Sequence, residues 1–86
     1  MKSAIAILAL AAVTSAQTIS GIPECARSIV DEAITRDGRC AIDDKECICD
    51  LRGPIIQDFA VRVDAHCGGR DLGNSITAIY DYCGGA

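Results

Sequence analysis

Six cysteines in a chain of 86 residues constrain the fold more than any other feature: Cys25, Cys40, Cys47, Cys49, Cys67 and Cys83. An even number of cysteines in so short a chain, behind a secretory leader, reads as a disulfide framework. The leader is expected here. Met1-Lys2 carry one positive charge, Ala4 to Val13 form an apolar run, and Thr14-Ser15-Ala16 are the small residues that precede a cut. This pattern predicts a signal peptide over 1–16 and one cysteine-rich domain over 17–86. The apolar run is too short for a permanent membrane anchor.

Six cysteines allow fifteen pairings. A bridge between Cys47 and Cys49 would be strained, which removes three of them and leaves twelve. A domain of about 70 residues buries too little apolar surface to rely on its core alone, so each bridge, at roughly 2–4 kcal/mol, matters.

Removing the leader removes Lys2 and no acid, so 7 basic residues face 12 acidic ones and the net charge becomes −5. Such a domain repels phosphate backbones and anionic lipid headgroups, and no nucleic-acid or membrane partner is expected. After Cys83 only Gly84-Gly85-Ala86 follow, without the tail of a lipid-anchor signal, and Asn74-Ser75-Ile76 is not a glycosylation site. The expected product is secreted and released.

Helical periodicity runs through the rest. Cys25, Ala26, Ile29, Val30, Ala33 and Ile34 trace a first helix that ends near Arg36, with Asp37-Gly38 as its stop. Asp43 is predicted to cap a short second helix, with Glu46 reaching back as in a capping box. Gly53-Pro54 predicts the next start, with proline in the first helical position, and Ile55, Ile56, Phe59, Ala60, Val63 and Cys67 give that helix an apolar face. Gly68-Gly69 breaks the chain, Asp71 is predicted to cap a fourth helix, and Leu72, Ile76, Ile79 and Cys83 are its expected inner face. Strand-like alternation is absent. The predicted class is all-α: a small disulfide-stapled basket of about four short helices.

Catalysis is not expected. There is one histidine, His66, no thiol remains once the cysteines pair, and nothing marks Ser28 or Ser75 as a nucleophile. Zinc is disfavoured because Cys47-Ile48-Cys49 and His66-Cys67 lack ligand spacing, and Asp43-Asp44 lacks the remaining oxygens of a calcium loop. With one Phe, two Tyr and no Trp, stacking platforms for sugars or bases are scarce. Tyr80 and Tyr82 are expected at the surface or the rim of the core, with contact to the edge of a flat macrocycle as their lesser alternative.

One ordered string is sharper. Pro23-Glu24-Cys25-Ala26 leads to Cys40-x3-Asp44-x2-Cys47-x-Cys49, then to Cys67 and, past Asp71-Leu72, to Cys83. It resembles the CFEM family, cysteine-rich domains common in fungal extracellular membrane proteins, from Pro23 to Cys83. Its most specific element is the aspartate just before the C-x-C pair. Family members usually carry eight cysteines; here Ile29 and Arg62 stand where the second and sixth would fall. Those two are expected to bond each other, so their joint loss leaves no orphan thiol. The resemblance implies the bridges Cys25–Cys67, Cys40–Cys47 and Cys49–Cys83. It also implies haem as cofactor, with Asp44 as axial ligand to ferric iron on an apolar platform to which Ile42, Ile48, Leu51, Ile55 and Phe59 could contribute.

Two functions follow from these readings. One is a haem carrier that captures haem outside the cell and passes it to a surface protein of similar kind. The other is a secreted effector of a fungus, binding a host protein through the disulfide basket alone. Asp44 also has a plain structural role open to it, as an acid at a helix start.

Overall fold

The computed structural model describes residues 19–84, so the predicted signal peptide lies outside the described residues. Four α-helices follow one another: α1 Arg27–Thr35, α2 Lys45–Asp50, α3 Arg52–Cys67 and α4 Gly69–Tyr82. A 3₁₀ turn over Glu24–Ala26 leads into α1, and a second over Arg36–Gly38 leaves it. No strand occurs among the described residues, and the class is all-α as the periodicity predicts.

Helix α3 is the centre, with α1, α2 and α4 packed around it. Its Ile55, Phe59 and Val63 are fully buried at i, i+4 and i+8, which puts them on one stripe. Against that stripe lie Val30, Ala33 and Ile34 of α1, Ile48 of α2, and Ala78 and Ile79 of α4. Ile19 and Ile22 of the N-terminal arm complete the core. Phe59 is the largest fully buried side chain, contributing about 2–3 kcal/mol by area.

Helix boundaries differ from the expectations in three places, each for a local reason. Asp44, not Asp43, caps α2: its carboxylate accepts the Cys47 N–H at 3.2 Å. Asp43 is left in the preceding turn, where the Asp44 N–H donates to Ala41 O. Shifting the cap by one residue leaves Cys47, not Glu46, three positions on, so the capping box does not form. Pro54 is the third residue of α3 rather than the first. The Ile55 N–H makes the opening bond to Leu51 O, so Pro54 sits where an N–H would have no partner within the helix.

Asp71 is likewise the third residue of α4, and the cap is Gly68. With φ 100° and ψ 164°, Gly68 takes a conformation essentially closed to other residues, which turns the chain from α3 straight into α4. The buried face of α4 is Ser75, Ala78 and Ile79, while Leu72 and Ile76 are only half-buried. Ser75 tolerates full burial because its Oγ donates to Asp71 O at 2.8 Å. Ala78 faces the arm at Gly21, whose φ is 91° and where a Cβ would come within 3.4 Å of the Ala78 methyl.

Three bridges join Cys25 to Cys67, Cys40 to Cys47 and Cys49 to Cys83, and no free cysteine remains. They tie the entry turn to the end of α3, the loop after α1 to α2, and α2 to the end of α4. These are the pairs that the resemblance implies.

Candidate functional site

Asp44 stands exposed at the start of α2, inside the seven-residue separation of the Cys40–Cys47 bridge. The cap bond occupies Oδ1. None of the four salt bridges among the described residues uses Asp43 or Asp44, so the carboxylate keeps acceptor capacity facing solvent. Cap and ligand are therefore compatible roles for one side chain.

The Cys49–Cys83 bridge brings the end of α4 against α2. This places Tyr82 near the two acids. Its phenol is held protonated above the ordinary value of 10.0, first by burial and then by the charges of Asp43 and Asp44. The Lys45 ammonium lies over the Tyr82 ring, 5.2 Å from its centroid. On the adjoining surface, Tyr82 belongs to the wall of an open cleft of about 370 Å³ between the arm and α4, with Gly21, Thr77 and Asp81. Tyr80 is exposed and carries Arg52 over its ring at 5.6 Å.

The apolar residues expected beside Asp44 divide into two groups. Ile48, Ile55 and Phe59 are fully buried in the core and present no surface to a ligand. Ile42 and Leu51 are half-buried and flank α2 at its two ends. Available apolar surface here comes from Ile42, Leu51 and the Tyr82 ring. Tyr82 was already a candidate contact to a porphyrin edge, whereas Lys45 had no signal of its own in the sequence; only the Cys49–Cys83 pairing points to their meeting.

A second grouping of possible ligand atoms is Cys25, Cys67 and Asp71. Both sulfurs are consumed in the bridge, so neither can act as a thiolate. His66 is exposed in the last turn of α3. It shares a recess of about 350 Å³ with Ile29, Arg62 and Ala65. Ile29 and Arg62, where the family pattern has its two further cysteines, thus line one recess. Arg62 also donates to Glu32 of α1 at 2.9 Å and to Asp58 of α3 at 3.2 Å.

Four short helices stapled by three disulfides, with an exposed carboxylate inside the smallest covalent ring, define a small cysteine-rich helical module. The sequence profile of the CFEM domain matches residues 18–84, and the chain belongs to that family. Domains of this family are typically extracellular cysteine-rich modules of fungi. Comparison with curated proteins and with solved structures finds no match. Among the described residues no helix is long and apolar enough to cross a membrane.

A flat macrocycle with a metal centre needs an anionic donor at the surface and apolar side chains beside it. Asp44 is such a donor, with half-buried Ile42 two residues before it and the Tyr82 ring close by, whereas Leu51 stands at the other end of α2.

Proposed function

We propose that the protein is secreted and captures ferric haem outside the cell, with Asp44 as the ligand to the iron. The observation that carries this reading is the placement of Asp44: exposed, free of any salt bridge, and held by its own cap bond beside Tyr82. Haem, when bound, supplies a ferric centre that a hard anionic oxygen donor suits. The chain's part is positional. The Asp44 cap bond and the Cys40–Cys47 bridge fix the carboxylate, and Ile42 and the Tyr82 ring supply apolar surface near it.

The reading is one of binding, not catalysis, and a receiving surface protein with a similar domain is the partner to which a carrier would pass its load. Another reading, an effector that engages a host protein, draws support from the surface where α1 meets α3. There Val61 is 74% exposed and the recess of Ile29 and Ala65 is largely apolar.

The test is a haem titration of the oxidised protein, followed in the Soret band, with Asp44→Asn and Asp44→Ala beside it. Asparagine caps a helix as well as aspartate does, whereas alanine loses about 1 kcal/mol. Both variants should lose the iron-coordinated spectrum, and only Asp44→Ala should melt earlier. A spectrum unchanged in Asp44→Asn would reduce Asp44 to a cap.

A further inference from the structure

The cation next to that carboxylate is set apart from the others in the domain. Lys45 is the only lysine beyond the predicted leader. Asp43, Asp44 and Glu46 surround it in sequence, yet all four salt bridges among the described residues use arginine, and none uses Lys45. Its ammonium rests on the Tyr82 ring instead. Arg52, the other cation held over a tyrosine, is also bound to a carbonyl, donating to Cys49 O at 3.3 Å.

An exposed cation over a ring is held weakly, and the ammonium keeps its three N–H donors for a stronger acceptor. A domain of net charge −5 would otherwise repel a ligand with two carboxylate side arms. Resting on the proposed haem reading, we infer that Lys45 anchors a carboxylate side arm of the bound porphyrin, with the Tyr82 ring parking its ammonium beside Asp44 until the ligand arrives. One residue then supplies the ligand to the metal and the next neutralises the ligand's own charge. Leaving the ring also frees an aromatic face that the macrocycle can cover.

The inference is tested with ferric haem and with its dimethyl ester, whose side arms carry no charge. Binding is followed by quenching of tyrosine fluorescence as well as by absorbance, in the wild type, Lys45→Gln, Lys45→Arg and Asp44→Asn. Lys45→Gln should weaken free-acid haem about tenfold, the size of one charge-assisted bond, and leave the ester unchanged. Lys45→Arg should restore most of the loss, and added salt should weaken the free acid only. Equal losses for acid and ester, or no loss for the acid, would overturn the role of Lys45 while leaving Asp44-dependent binding standing. If the wild type binds neither compound, the haem reading itself fails and the anchor with it.

Discussion

Around α2 the domain is fastened covalently, by Cys40–Cys47 on one side and Cys49–Cys83 on the other. Where α1 meets α3, much of the fastening is ionic. Asp58, with its side chain only 14% exposed, faces Arg36, Arg39 and Arg62 at 3.6, 3.5 and 3.2 Å, and Arg62 reaches on to Glu32 of α1. Arg39 adds a bond to Ala33 O at 2.9 Å. In the family pattern this joint would carry a disulfide between the positions of Ile29 and Arg62. A guanidinium network can occupy the place of a sulfur bridge, but it answers to salt and acid in ways a bridge does not. The candidate site lies at the covalent end, so that sensitivity is kept away from Asp44.

The largest effect should come from cutting the covalent end. Replacing Cys49 and Cys83 together by serine should cost about 2–4 kcal/mol, a large share of what a domain this small possesses, read as a lower urea midpoint. A loss as small as that of a surface ion pair would erase the contrast between the two ends. A smaller effect of opposite sign is expected at the ionic end. Ile29→Cys with Arg62→Cys should close a fourth bridge and raise stability by about 1–2 kcal/mol, after the lost ion pairs are set against the gain. Salt dependence of the urea midpoint should flatten with it. Two reactive thiols in that variant would show that the positions do not face each other.

The smallest effect concerns Asp31 on α1, whose carboxyl is pushed above its ordinary value of 3.8 by burial, against a lowering by Arg27. Because the folded state holds this proton more tightly than the unfolded chain, the charged form weakens folding at neutral pH. That penalty is absent below the unfolded value and complete above the folded one. Asp31→Asn should therefore raise stability slightly at pH 7, by less than about 0.5 kcal/mol and read as a small rise in melting temperature, and have no effect at pH 3. An effect of equal size at both pH values would assign the gain to something other than charge.

The helical class was legible in the spacing of apolar residues, most clearly along Ile55, Phe59 and Val63, because a stripe that must be buried repeats with the helix turn. The same spacing misled at the site. Ile48, Ile55 and Phe59 look like good platform residues, since periodicity marks a residue as apolar without saying whether protein or ligand covers it. The Asp43–Glu46 spacing favoured Asp43 as the cap, whereas the turn from Ala41 puts Asp44 there instead. On α4 the spacing favoured Leu72 and Ile76, whereas Ser75 is buried because its hydroxyl finds Asp71 O one turn back. Tyr82 meets Lys45 across more than thirty residues of chain. Local patterns carry no information about such an encounter.

The loop closed by Cys40 and Cys47 gives Asp44 a durability of another kind. A protease that cuts the backbone once anywhere between those two cysteines leaves both new ends attached through sulfur. Two cuts, one on each side of Asp44 and both inside the loop, are needed before the carboxylate can leave the molecule. No single nick inside the loop can therefore remove the residue on which the proposed capture rests.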